Sequence, residues 1–316
     1  MTAGTVLVTG ASGYAAQFVV QDYAQRGWQV GATYWSGQEP KFDGNVKVFK
    51  VDLASGEGLQ SCLDALGPLT AVINCAAQAA PAACEGDGET AARAINIPTQ
   101  LLAALESHAA RHGSRPALVH LSTDHVYEGS SSMYREEAEL RPVNKYGRSK
   151  ADAEAAVAAA WPGHHVILRP SIIFGPPPPN PTRRGQFLQS IDANLAAKKP
   201  STFFDDEWRT PTYVGDLVAA CCAAVERCGQ LPPSAGERII NVGGPQRINR
   251  VDMALALCRV RGYDLQLVQP GSAASVPRTC ATPADISMDT SRLQAVLGVQ
   301  PTPFEEALRQ IFAAEK

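Results

Sequence analysis

The chain of 316 residues has no strong charge of either sign, since 28 Lys and Arg face 31 Asp and Glu for a net charge of −3. Without a basic patch nothing grips a phosphate backbone or an anionic lipid surface, which excludes nucleic acid and membrane as partners. Long apolar runs are missing as well. The stretch Leu217 to Val225 falls far short of the about 20 residues needed to span a bilayer. No basic n-region precedes the strand-like run that begins at Thr5, and the first cationic residue is Arg26, so the expectation is a cytoplasmic protein without a leader peptide. The eight cysteines include no C-x-x-C pair and no histidine at zinc spacing. They are expected to be buried thiols in a reducing compartment, with no metal centre.

What is present is alternation. Short β-branched runs at Thr5–Thr9, Val30–Tyr34, Val46–Val51, Ala71–Asn74, Leu118–Ser122 and Val166–Arg169 are separated by Ala-rich segments with helical spacing, such as Ala15–Arg26 and Leu101–Arg111. Nearly continuous apolar strands are those covered on both faces, which predicts an α/β fold of Rossmann type, a doubly wound parallel sheet. The prolines at 176–179 and the Asn180-Pro181 step break that pattern. Residues 1–169 are therefore expected to form one Rossmann-type domain. Residues 170–316 read as a smaller C-terminal substrate lobe, with about 211–244 returning to the Rossmann sheet.

The first strand runs directly into Thr9-Gly10-Ala11-Ser12-Gly13-Tyr14-Ala15-Ala16. Glycines here permit a tight turn and bring backbone N–H groups to a pyrophosphate at a helix N-terminus, so Gly10, Ser12, Gly13, Tyr14 and Ala15 are expected to hold a dinucleotide. An acidic residue should follow the second strand to bind the NAD ribose, yet Tyr34-Trp35-Ser36 carries none and no arginine either. Ser36 and Lys41 are the nearest polar groups, which favours NADP mildly and keeps NAD as the alternative. Asp52-Leu53 is placed at the adenine edge, against a plain helix N-cap for Asp52.

Tyr146 and Lys150 lie four apart in a segment that turns helical, downstream of Ser122-Thr123-Asp124 at a strand end. A tyrosine with a pKa near 10 carries a proton poorly at neutral pH unless a nearby ammonium favours its phenolate. The expected roles are Tyr146 as proton donor, Lys150 as that ammonium and a ribose ligand, and Thr123 as a hydrogen-bond partner of the substrate oxygen. The other histidines read blandly: His164 and His165 as a loop entering a strand, His108 and His112 as a polar helix end. Asp205-Asp206-Glu207 reads as a solvated turn, followed by Trp208 and Arg209 as groups for a sugar or phosphate face.

With these residues in hand, the whole chain resembles an extended short-chain dehydrogenase/reductase. Leu121 to Gly129, Tyr134-Arg135-Glu136-Glu137 and Asn144 to Lys150 resemble the dTDP-4-dehydrorhamnose reductase family, and they are similar to its relative, the regulatory β subunit of methionine adenosyltransferase. The resemblance implies Cys75, Ala76 and Ala77 beside the cofactor, Asn96 in support, Arg169 and Ser171 near the nicotinamide, and Asp124, His125 and Ile172 at the substrate. Those reductases usually carry an aromatic at position 125 and a Trp near 172 or 173, where this chain has His and Ile. The expected activity is NAD(P)-dependent reduction of a 4-keto group on a nucleotide-linked deoxysugar. The alternatives are a nucleotide-sugar epimerase or dehydratase, and a non-catalytic dinucleotide-binding subunit that partners a methionine adenosyltransferase catalytic subunit. A homodimer is the assembly that the resemblance implies.

Overall fold

The computed structural model describes residues 4–183 and 185–313. Among them, the β-branched runs become β1 (Thr5–Thr9), β2 (Gln29–Tyr34), β3 (Val46–Lys50), β4 (Ala71–Asn74), β5 (Ala117–Leu121), β6 (His165–Pro170) and β7 (Ile239–Val242). All pair in parallel in one sheet of order β7-β6-β5-β4-β1-β2-β3, the doubly wound topology expected from the alternation. The order reverses between β1 and β4, and there a crevice opens beyond the carboxyl ends of the strands.

Side chains alternate across this sheet, and each face has its own core. Val6 and Val8 pack with α1 (Tyr14–Gln25) and α7 (Val214–Arg227) through Val19, Val20, Leu217 and Cys221. Leu7 faces the other way, toward α2 (Leu59–Leu66), α4 (Thr99–His112) and α5 (Lys145–Ala160), where Leu63, Leu105, Val157 and Trp161 meet. The short helix α3 (Glu89–Asn96) sits beside the amino end of α5. β3 is an edge strand that carries Lys47 and Lys50 among its five residues, and it is only partly buried.

The chain leaves the sheet after Pro170, pairs Ile173–Phe174 with Thr212–Tyr213, and continues as a proline-rich segment. It then builds a second core from α6 (Phe187–Ala196), α8 (Arg250–Arg261) and α9 (Phe304–Ala313), with Leu188, Leu257 and Leu308 buried together. A two-stranded parallel pair, Ser201–Phe204 with Val268–Gly271, covers that core. Between these pieces the chain returns to the main sheet as α7 and β7. The eight cysteines are all free, and six are buried. Among the described residues no helix is long and apolar enough to cross a membrane, and no cluster of metal-ligating side chains occurs.

Candidate active site

Strand register places the first polar feature. Thr9 pairs with Asn74 and Asn74 with His120, so three polar side chains form a row across β1, β4 and β5 near the sheet's carboxyl edge. Thr9 Oγ1 donates to Asn74 Oδ1 at 2.6 Å, and Asn74 Nδ2 lies 2.9 Å from His120 Nδ1. Lys150 reaches the end of this row from α5. Its Nζ donates to the Leu121 carbonyl at 2.6 Å and sits 3.2 Å from His120 Nε2. Burial pushes Lys150 down to about 8 against the pull of Glu154 and Cys75, and burial with the lysine's charge holds His120 well below 6.5, hence neutral.

α5 carries its functional groups on one stripe. Tyr146, Lys150 and Glu154 recur every fourth residue and are all buried. Asn144 caps the helix by accepting from Gly147 N at 2.8 Å, while its Nδ2 donates to the Ala281 carbonyl at 3.0 Å. Gly147 admits the strand-end turn: a Cβ there would lie 2.1 Å from the His125 carbonyl oxygen, so only glycine allows so close an approach. Glu154 anchors the stripe by a buried bidentate pair with Arg169, at 2.9 and 2.6 Å, and accepts from the Ser122 hydroxyl.

Tyr146 is held differently from the expectation. Burial raises its phenol well above 10, a hydrogen bond with Thr123 works in the opposite direction, and Asp124 and Cys84 add to the rise. The Lys150 nitrogen donates to Leu121 and lies beside His120, and burial is the first cause that holds the phenol above 10, so in this arrangement Tyr146 stays protonated at neutral pH. Asp124 accepts from Ser171 Oγ at 2.7 Å and from Thr123 Oγ1 at 3.2 Å. The His125 ring meets that of Tyr146 edge-on at 5.5 Å, and burial keeps it neutral by lowering its pKa.

A cleft of about 390 Å³ collects most of the expected residues. One wall is the glycine turn with Gly10, Gly13, Tyr14 and Ala15, and Cys75 and Ala77 line the β4 end. Thr123, Asp124, His125, Tyr146 and Lys150 face them, and Ser171 and Ile172 close the far side. The turn fits a dinucleotide. Gly10 has φ +72°, a Cβ on it would lie 2.8 Å from Ala76 Cα, and the first turn of α1 has no side-chain cap, so its amides are available. Ser12 and Ser36 line an adjoining pocket of about 780 Å³ instead.

The remaining expected residues lie elsewhere. Ala76 packs beneath Gly10. Asp52 uses its carboxylate on Ala54 N and Ser55 Oγ, both at 2.9 Å, to shape a turn, and Leu53 packs on the core; neither lines the cleft. Arg169 is 1 % exposed, with its nitrogens on Glu154, Tyr127 and the Glu136 carbonyl, so its cofactor role is corrected to that of a core anchor. Arg209 is likewise buried on the carbonyls of Trp208, Pro283 and Ala284. Trp208 stacks under Arg247 at 3.9 Å. Neither lines the cleft, although Arg209 lies close enough to Asp124 and His125 for their charges to interact. Glu207 is buried against Arg278 rather than solvated, and His108 faces the core rather than a polar helix end. His120 and Glu154 were missed. His120 is a lone polar residue in an apolar strand and Glu154 one of several polar residues along α5, so only strand register or helical spacing from Lys150 reveals them.

Together these features define a Rossmann-type α/β protein whose strand-end cleft carries a threonine, a tyrosine and a lysine. The chain belongs to the RmlD substrate binding domain family, whose model matches residues 4–316. It is 29 % identical over 310 residues to the probable low-salt glycan biosynthesis reductase Agl14 of Haloferax volcanii, covering 97 % of each chain. It is 26 % identical over 306 residues to methionine adenosyltransferase 2 subunit beta of Xenopus tropicalis, covering 96 % of this chain and 86 % of that one. Among solved structures, dTDP-4-dehydrorhamnose reductase from Bacillus anthracis in complex with NADP shares the fold. Its TM-score is 0.78 at 19 % identity, covering 99 % of this chain and 100 % of that one. UDP-glucuronic acid 4-epimerase from Bacillus cereus with UDP-glucuronic acid and NAD matches with TM-score 0.78 at 20 % identity and the same coverage.

Proposed function

We propose that the protein is an NADP-dependent reductase of a 4-keto group on a nucleotide-linked deoxysugar, with Tyr146 as proton donor. The observation that carries this reading is the meeting of Thr123, Tyr146 and Lys150 in one cleft with the glycine turn. Gly10, Gly13 and Tyr14 would hold the pyrophosphate, and Cys75, Ala77, Lys150 and Ser171 the nicotinamide end. NADPH, with NADH as the alternative, would supply the hydride when bound. Burial keeps Tyr146 protonated at neutral pH, the form a proton donor must have. As the carbonyl carbon gains hydride, Tyr146 gives its proton to the oxygen and Thr123 hydrogen-bonds the same atom, leaving an alcohol and a phenolate that recovers its proton from solvent. His125 and Ile172 give the sugar end a neutral imidazole and an aliphatic face, which supports a substrate other than the rhamnose precursor.

The similarity to methionine adenosyltransferase 2 subunit beta over 96 % of the chain favours a second reading, a dinucleotide-binding regulatory subunit. The two readings separate when purified protein is incubated with NADPH and a panel of 4-keto nucleotide sugars. Reduction of at least one sugar is expected, with Tyr146→Phe lowering turnover about 100-fold or more at nearly unchanged NADPH affinity. Unchanged turnover in Tyr146→Phe refutes the proton-donor role. NADPH binding without oxidation on any sugar, together with a stoichiometric complex with a methionine adenosyltransferase catalytic subunit, makes the regulatory reading the better one.

A further inference from the structure

The loop after β2 lacks any arginine, yet the fold brings one to it from the proline-rich segment far along the chain. The pocket beside the glycine turn is lined by Ser12, by Ser36 and Lys41 of the β2–β3 loop, and by Arg183. In a Rossmann fold the end of the second strand meets the adenosine ribose, so Ser36 marks where a 2′ substituent would lie.

The segment that carries Arg183 is tied down at three points. Tyr14 donates from its hydroxyl to the Pro176 carbonyl at 2.9 Å. The Gln17 amide takes both backbone groups of Asn180, accepting from its N at 2.7 Å and donating to its carbonyl at 3.2 Å. The Asn180 side chain in turn takes both backbone groups of Lys41, accepting from its N at 2.8 Å and donating to its carbonyl at 3.0 Å. One asparagine thus locks the β2–β3 loop, helix α1 and the proline-rich segment together, and Arg183 follows three residues later. The carboxylate in this pocket is Glu39, which accepts from the Tyr34 hydroxyl at 3.2 Å. Two cations against one engaged carboxylate leave the pocket net positive.

We infer that Arg183, with Lys41, binds the 2′-phosphate of NADP and sets the preference of this protein for NADP over NAD. This rests on the reading of the cleft as a dinucleotide site. A guanidinium presents a fork of donors to phosphate oxygens, an interaction that NAD, with a ribose hydroxyl there, does not offer. Asn180 is a positioning residue, because it fixes the two backbone segments from which the cations project.

The test is calorimetric titration of NADP⁺ and NAD⁺ into the full chain, as wild type, Arg183→Ala, Arg183→Lys, Lys41→Ala and Asn180→Ala. Wild type is expected to bind NADP⁺ more tightly. Arg183→Ala should weaken NADP⁺ about tenfold or more and NAD⁺ less than twofold, with Arg183→Lys recovering part of the loss. Asn180→Ala should show the same selective loss in milder form, whereas a merely structural role would weaken both cofactors alike. Raised salt should shrink the NADP⁺ advantage of wild type more than that of Arg183→Ala. If wild type binds either dinucleotide and Arg183→Ala leaves the ratio of affinities unchanged, the assignment of Arg183 is overturned while the dinucleotide site stands. If wild type binds neither, the reductase reading falls and this inference with it.

Discussion

Replacing Lys150 by Met should change the way stability depends on pH. Lys150 is buried against Leu121 and His120, with Glu154 and Cys75 as the charged or titratable groups that favour its ammonium. Burial lowers it from an ordinary 10.5 to about 8, a difference worth about 3 kcal/mol. Below about pH 8 the lysine is protonated folded and unfolded, and the folded state bears the whole penalty of burying the charge. Between about 8 and 10.5 the native lysine gives up its proton while the unfolded one keeps it, so the unfolded state binds more protons and stability rises with pH. Above that window both forms are neutral and the penalty is gone. Buried tyrosines and cysteines have the opposite effect, since Tyr146 and Cys75 have raised values. They are shared by both proteins, so the difference between wild type and Lys150→Met isolates the lysine. Urea denaturation across this window should show wild type gaining about 3 kcal/mol relative to Lys150→Met as pH rises. A flat difference, or one of opposite sign, would mean that the lysine is solvated or compensated in a way the buried row does not provide.

Two further outcomes follow from the same geometry. Arg169→Met leaves the Glu154 carboxylate buried with Ser122 alone and should cost about 3–5 kcal/mol in denaturation, while Arg169→Met with Glu154→Gln should recover part of it; equal losses in the single and double variants would refute the pairing argument. Gly10→Ala puts a Cβ at φ +72° and 2.8 Å from Ala76 Cα, so it should cost about 1–3 kcal/mol by thermal melting and abolish detectable NADP⁺ binding; a variant that melts and binds like wild type would show that the turn has room to shift.

The sheet was legible because its strands are short, apolar and separated by helical segments, a pattern that burial on both faces enforces. The glycine turn and the Tyr146–Lys150 pair were legible for a related reason: each is a local spacing along one segment. The partners of Lys150 were not. His120 meets it through the pairing of β4 with β5 and the packing of α5, neither of which a linear sequence displays. Arg169 misled because it stands at the end of an inner strand, the usual place for site residues, yet its side chain turns to Glu154 and Tyr127. Arg183 lay beyond reach because its nearness to Ser36 depends on Asn180 and Gln17, each more than 130 residues from one of the segments it joins.

The stripe on α5 bears on how this chain tolerates length change. Tyr146, Lys150 and Glu154 are set by two turns of one helix, and Glu154 is locked to β6 through Arg169. One residue inserted or deleted between Lys150 and Glu154 would rotate one end of the helix against the other by about 100° and swing either the reactive pair or the anchor away from the sheet. Conservative replacements on this stripe leave the phase intact, whereas a single-codon insertion shifts it.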